Sequence, residues 1–246
     1  MDITEIAKAA KQASLIAGKK LRENFFHSQQ LIYNSGRDIK LSIDKEIEDL
    51  IKTELKEFGF GFLGEETGLE ENLEHNFFWV VDPLDGTFNY FRNIPICANS
   101  IALMDSNYDV HLAVINNFLH EKLYFAIKGN GSFCNDKPLE VSKVNSPSDG
   151  TLMTGIPAKS EYLDSEFEEM ISSFQAWKKV RMIGSAAIAG AWVAEGLAES
   201  YKEDGIFLWD IAASMLLIAE AGGKINITEP REDMRVNAEF TNGFVY

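Results

Sequence analysis

The chain has 246 residues, 46% of them hydrophobic and 25% charged, a balance that supplies a sizeable core and excludes a disordered or fibrous protein. Its 38 acidic and 23 basic side chains leave a formal charge of -15, a field that repels a polyanionic backbone and excludes nucleic acid as the expected partner. Two cysteines, Cys97 and Cys134, are too few for a disulfide framework and read as buried small hydrophobes in a reducing compartment.

At the amino terminus Ile3, Ile6, Ala9, Ala13, Ile16, Ala17 and Leu21 recur at helical spacing, interrupted by Lys8, Lys11 and Lys19, so residues 1–21 read as an amphipathic helix and not as an export signal. No uninterrupted apolar stretch approaches the ~20 residues of a membrane span, and a soluble cytoplasmic protein is expected. A second helix starts near Ser42 or Asp44, places Ile47, Leu50, Ile51, Leu55 and Phe58 on one face, and ends where Gly59 can supply a left-handed cap. Residues 77–81 form a short continuous apolar run, the pattern of a strand buried on both faces, and deliver Asp82 at its end. Strand-like runs at 97–104, 110–115 and 122–127, separated by Asn, Asp and Gly, predict antiparallel sheet. Beyond a turn-rich loop at 146–150 the texture becomes more helical, over 165–177, 185–195 and 211–221, with short strand candidates between. That loop marks the approximate boundary between two packed halves of one unit spanning 1–246, and the order of elements predicts a layered α+β architecture.

The chemistry concentrates in Gly64-Glu65-Glu66 and Asp82-Pro83-Leu84-Asp85-Gly86-Thr87. Pro83 biases Asp82 away from helix, so Asp82 and Asp85 are expected on a turn at a strand end, with both carboxylates able to face one point. Two like charges about 4 Å apart at an effective dielectric of 20 repel by ~4 kcal/mol, so such a pair stays ionised only with cations between its members. The segment has no histidine or cysteine, and its hard oxygens, including the Leu84 carbonyl, suit magnesium or manganese better than zinc or copper. His27, His75, His111 and His120 form no metal-ligand pattern. From residues alone, the same DxxDGT segment also fits a capped turn without a metal.

Three motifs in order, Gly64-Glu65-Glu66, Asp82 to Thr87 and Trp209-Asp210-Ile211-Ala212-Ala213, resemble the inositol monophosphatase family, within the magnesium-dependent, lithium-sensitive sugar-phosphate phosphatases. Asp38, Asp44, Gly129-Asn130-Gly131, Asn135, Gly184-Ser185-Ala186 and Ala219-Glu220-Ala221-Gly222-Gly223 extend the resemblance over nearly the whole chain. The resemblance implies an αβαβα sandwich of the sugar-phosphatase type, a homodimer, and direct in-line hydrolysis of a phosphomonoester. It implies two or three magnesium ions per subunit, with manganese as a substitute, held by Glu65, Asp82, the Leu84 carbonyl, Asp85 and Asp210. Asp82 would bridge two ions and Glu66 would act through water. Thr87 and Asp44 resemble the pair that orients the attacking water, completing a catalytic set with Glu65, Asp82, Asp85 and Asp210. Asp85, Gly86, Thr87, Ser185, Ala186, Glu203 and Asp210 are the implied substrate contacts.

Departures from the family pattern bear on the substrate. Tyr33 stands five residues before Asp38, where inositol-specific members usually carry lysine, and the nearby cations are Arg37 and Lys40. Phe207 stands where animal enzymes often have histidine, and Phe88-Asn89-Tyr90 resembles a prokaryotic branch that includes dual inositol monophosphate and fructose 1,6-bisphosphate phosphatases. A small polyol or sugar phosphate is therefore expected, myo-inositol monophosphate first, with fructose 1,6-bisphosphate and 3'(2'),5'-bisphosphate nucleotides as alternatives. The GxGxxG of residues 59–64 follows a helix and leads to Glu65, which excludes a dinucleotide fingerprint. Pro83 occupies the nucleophile position of a DxDGT aspartyl-phosphate phosphatase and excludes that chemistry. A non-catalytic, partner-binding member is the rival of a different class, and the presence of Glu65, Asp82, Asp85 and Asp210 together weighs against it.

Overall fold

The computed structural model describes residues 2–35, 38–70, 72, 75–156 and 163–245; Arg37 and the side chains of residues 35, 38 and 166 lie outside the described set. Helix α1 (Ile3–Asn24) starts where the Asp2 carboxylate accepts the Thr4 amide at 2.9 Å, and it buries Ile6, Ala10, Ala13, Ala17 and Leu21 on one face. A hairpin of β1 (Leu31–Ser35) and β2 (Asp38–Leu41) leads into α2 (Ser42–Leu55). Asp44 accepts the Leu41 amide at 2.7 Å, which satisfies one of the donors left over at the helix start. The following single turn ends at Gly59 with φ of 64°, the left-handed stop expected there.

The chain then forms β3 (Gly61–Gly64), β4 (Gly68–Glu70), β5 (Phe77–Asp85), the five-residue α3 (Thr87–Phe91), β6 (Ala98–Asp105), β7 (Val110–Asn117), β8 (Lys122–Ile127), β9 (Ser132–Cys134) and β10 (Lys137–Pro138). These strands make one sheet in the order β10-β9-β8-β7-β6-β5-β3-β4, antiparallel except for the parallel pair β3 and β5. Alternate residues along β5 to β7 enter two different cores. Trp79, Val81, Ile101, Leu103, Leu112 and Val114 pack toward α1 and α2, whereas Val80, Ala102, Met104, Ala113 and Ile115 face the other way.

A short turn at Pro147–Asp149 carries the chain out of the first sheet, within the expected boundary at 146–150. Then come β11 (Thr151–Thr154), α4 (Asp164–Phe174), β12 (Lys179–Arg181), α5 (Ala186–Ala194), β13 (Ser200–Phe207), α6 (Leu208–Glu220), β14 (Lys224–Ile227) and β15 (Arg235–Thr241). The region whose texture is mainly helical thus holds a second, five-stranded sheet in the order β12-β11-β13-β15-β14. Its edge strands β12 and β14 have only 3 and 4 residues and carry Lys179, Arg181 and Lys224, so they lack the apolar run that announces a strand.

Helices α5 and α6 are apolar on nearly every side, because they lie between the two sheets and bury all faces. The parallel steps from β11 to β12 and from there to β13 run in opposite directions, so right-handed crossovers put α4 and α5 on opposite faces of the second sheet. The layers are therefore α1 with α2, the large sheet, α5 with α6, the small sheet, and α4. Among the described residues no helix is long and apolar enough to cross a membrane. Cys97 and Cys134 are both free and buried.

Two further motifs turn out to be structural. Glu220, at the end of α6, accepts the amides of Gly129 and Gly131 at 2.7 Å each, one on each carboxylate oxygen, and so clasps the turn between β8 and β9. Asn135 bridges the same region, taking the Leu123 amide at 2.9 Å and giving to the Glu121 carbonyl at 2.7 Å. In the middle layer Gly190 lets α5 approach α6 closely, since a Cβ there would come within 2.6 Å of Ser214 Oγ. Gly190→Ala is expected to force the two helices apart and to lower stability by about 1–3 kcal/mol in urea unfolding, with m unchanged.

Candidate active site

The centre of the site is an irregularity in β5. Asp82 lies opposite Ser100 and Asp85 opposite Ala98, so three steps on β5 face two on β6 and one residue is extruded as a bulge. Pro83, which has no N–H to offer a ladder, sits inside it, and the Leu84 amide turns to the Asp82 carboxylate at 2.9 Å. Both acids therefore lie within the bulged end of β5, at the strand end where the sequence predicts a turn. The parallel neighbour β3 brings up the third acid, because the Glu65 amide donates to the Val81 carbonyl at 3.3 Å, next to Asp82. Asp210 arrives from the second half in the first turn of α6, where the helix dipole favours its charge.

These acids line a cleft of about 220 Å³ together with Leu84, Gly86, Thr87, Ser185, Ala186 and Glu203. Thr154, Gly155, Ile156, Gly184, Ala189, Tyr201 and Ile206 complete the wall. Among these described residues there is no lysine, arginine or histidine. Asp85 reaches across to the second half, where it accepts from Ser185 Oγ and from the amides of Ala186 and Ala187 at 3.1 and 3.0 Å. It thereby satisfies the start of α5 together with Ser185, which also takes the Ile188 amide at 3.3 Å. On the first half, the Asn89 side-chain amide donates to the carbonyls of Ile96 at 2.8 Å and Ile183 at 2.7 Å, fixing the loop before Ser185 over α3.

Burial and mutual repulsion set the electrostatics. Burial, reinforced by the charges of Glu65, Asp85 and Asp210, raises Asp82 well above the ordinary carboxylate range. Asp210 is raised well above it too, by burial first and then by Glu65, Asp85 and Glu203. Burial takes Asp85 to about 6, against the opposing pull of its donors at Ser185, Ala186 and Ala187. Glu203 is lifted by burial to about 7, although Tyr201 donates to it at 2.9 Å.

Of the predicted residues, Asp44 and Glu66 do not line the cleft. Asp44 is buried near Glu65, with Oδ2 on the Leu41 amide and Oδ1 without a partner, and burial takes it to about 8. Thr87 donates its hydroxyl proton to the Leu84 carbonyl at 2.9 Å, so it does not pair directly with Asp44. Glu66 is engaged by Lys40 at 2.7 Å. Tyr201 lies two residues from Glu203 on the same side of β13 and was legible by strand periodicity; Asn89, Thr154 and Gly155 carried no such signal. Tyr33 is exposed, and Phe207 stacks on Trp209 with ring centres 4.5 Å apart.

The donor set fits a hard divalent cation. It consists of carboxylates and a carbonyl, Asp82 and Asp85 are buried and Glu65 and Asp210 partly so, and no cationic side chain among the described lining residues balances it. In this arrangement no group of three or more His, Cys, Asp or Glu among the described residues is gathered tightly enough to hold a metal. Asp85 in particular spends its oxygens on α5.

The raised values give the metal-free protein a definite pH dependence. For Asp85, Glu203 and Asp44 the folded-state pKa lies above the ordinary 3.8 or 4.5, so the native state holds protons that the unfolded chain has released. Stability from these groups is present at the low end and is lost as pH rises from about 4 through about 8. Calorimetry of the metal-free protein is expected to show a lower Tm at pH 8 than at pH 5. Magnesium is expected to raise Tm more at pH 8, where it replaces the missing protons.

Comparison with known proteins agrees with this layout. The family model described as the inositol monophosphatase family matches residues 2–241. An inositol-1-monophosphatase of Mesorhizobium japonicum is 35% identical over 237 residues, 94% of this chain and 89% of that protein. A Nus factor SuhB of Xylella fastidiosa is 35% identical over 89% of this chain and 79% of its own length. Among solved structures, an inositol monophosphatase from Anabaena superposes with a TM-score of 0.83 at 30% identity, covering 99% of this chain and 92% of that one. A structure named inositol monophosphatase-fructose 1,6 bisphosphatase superposes at 0.79 with 25% identity, covering 98% and 95%. With its acidic cleft, its layered sheets and a family match over nearly all its length, the chain belongs to the inositol monophosphatase family of phosphatases.

Proposed function

We propose that the protein hydrolyses the monoester of a small polyol or sugar phosphate, myo-inositol monophosphate first, with magnesium or manganese held by Glu65, Asp82, Asp85, Asp210 and the Leu84 carbonyl. The observation that carries this is the convergence of buried carboxylates on a cleft whose described walls offer no positive charge. Bound at those oxygens, two or three divalent ions supply the missing charge and a water of lowered pKa.

The remaining work falls to the chain's own groups. Because the Thr87 proton is committed to the Leu84 carbonyl, its hydroxyl oxygen can only accept, which orients an attacking water by one of its hydrogens. The family resemblance makes Asp44 the second group that orients that water; here its unpartnered Oδ1 is buried outside the cleft, so the two residues do not pair directly. The amides of Gly86 and Thr87 donate to the phosphate. Glu203, held by Tyr201, accepts from a hydroxyl of the leaving alcohol, and Ser185 and Ala186 at the start of α5 form the floor beneath it.

The same walls favour a monophosphate over the bisphosphate alternatives, since a second phosphate would meet Glu203 and no cation among the described residues. The chain works as a single unit, because both halves contribute to the one cleft, and the family resemblance adds a cytoplasmic homodimer. The relative named as a Nus factor supports a second, partner-binding reading.

A panel of phosphorylated metabolites, assayed with and without magnesium, separates these readings. One dominant monophosphate with magnesium-dependent release is expected; flat, feeble rates throughout would favour partner binding. In the same assay Asp85→Asn is expected to lose at least about 100-fold in turnover on every substrate and to weaken the magnesium dependence. Near-native rates in that variant would remove Asp85 from the reaction.

A further inference from the structure

We infer that Glu48, a residue in none of the motifs above, is a positioning residue for the acidic cleft: it holds the turn that delivers Glu65. Glu48 lies one helical turn after Asp44 on α2 and has 0% of its surface exposed. Its Oε2 accepts the Glu66 amide at 2.9 Å, while Oε1 has no hydrogen-bond partner. Gly64 leaves room for this, because a Cβ there would overlap the Glu48 carboxylate. The turn is thus gripped from three directions: the Glu65 amide by Val81, the Glu66 amide by Glu48, and the Glu66 side chain by Lys40.

A buried carboxylate with one orphaned oxygen is costly, and an apolar side chain of similar size would pack there more favourably. What Glu48 provides in exchange is a buried acceptor for the amide of the residue next to Glu65, so that the turn is fixed where the acid enters the cleft. The inference rests on the reading of Glu65 as a metal ligand. Residues that orient metal ligands from behind typically change metal affinity by about 10–100-fold when they are removed.

The test compares Glu48→Leu with Glu48→Gln in the full chain by two readouts, manganese titration followed by electron paramagnetic resonance and hydrogen exchange of the Glu66 amide in metal-free protein. The leucine variant, which removes the acceptor, is expected to bind manganese about 10–100-fold more weakly and to exchange the Glu66 amide faster. The glutamine variant keeps an acceptor oxygen and is expected to stay within about 3-fold of the native protein in affinity, with the amide still protected. Should Glu48→Leu not fold, Gly64→Ala displaces the carboxylate without altering it and is expected to show the same two losses. A folded leucine variant with native affinity, or a glutamine variant as impaired as leucine, would overturn the assignment. If the native protein itself bound no manganese, the proposed function would fail, and the exchange rate of the Glu66 amide would still decide whether Glu48 holds the turn.

Discussion

Asp82 and Asp85 are carried into a buried bulge, Glu65 and Asp210 are brought in beside them, and no cationic side chain among the described lining residues answers them. Burial and mutual repulsion raise Asp82 and Asp210 well above the ordinary carboxylate range, a cost relieved either by protons or by ions. Much of the surrounding architecture is arranged to hold the acids in place against that repulsion. The β5 bulge sets the direction of two of them, the parallel pairing of β3 sets the third, and the first turn of α6 sets the fourth. No cationic side chain among the described lining residues offsets the acids, which is the setting that the proposed divalent ion would complete.

The second property of the site is that neither half of the chain owns it. Asp85 belongs to the first sheet, yet its oxygens are taken by Ser185, Ala186 and Ala187 in the second half. Asn89 returns the connection from α3 to the carbonyls of Ile96 and Ile183. The backbones come so close that a Cβ on Gly86 would lie 2.8 Å from the Ile96 carbonyl oxygen and 3.1 Å from that of Gly184, and Gly86 also needs its φ of 86°. The turn at Gly86 and the start of α5 are thus locked in one register. Asp85 can line the cleft and also cap α5 only because these two elements meet at that point.

Part of this was readable in the residues. The apolar run before Asp82, the proline between the two aspartates and the absence of histidine or sulfur in the segment pointed to hard-oxygen chemistry at the end of a buried strand. The periodicity of α1 and α2 and the three middle strands also emerged where the pattern placed them. The second sheet showed only as unplaced short strand candidates between the later helices, because β12 and β14 are short, charged edges and β13 alternates around Lys202 and Asp204. Contacts between residues about 100 positions apart, such as Asp85 with Ser185, leave no periodicity to detect. Glu48 was invisible for a related reason: on a helix rich in acids, only its burial against Gly64 distinguishes it from Glu46, which faces Lys20 at the exposed surface.

The clasp that Glu220 closes on Gly129 and Gly131 has a consequence for the far end of its helix. Asp210 stands in the first turn of α6 and Glu220 is its last residue, ten positions later and therefore about 15 Å away. A helix is stiff along its axis, so anchoring one tip to a surface turn sets how deeply the other tip projects. The β8–β9 turn acts as a depth stop, and its two glycine amides gauge the reach of a carboxylate they never touch.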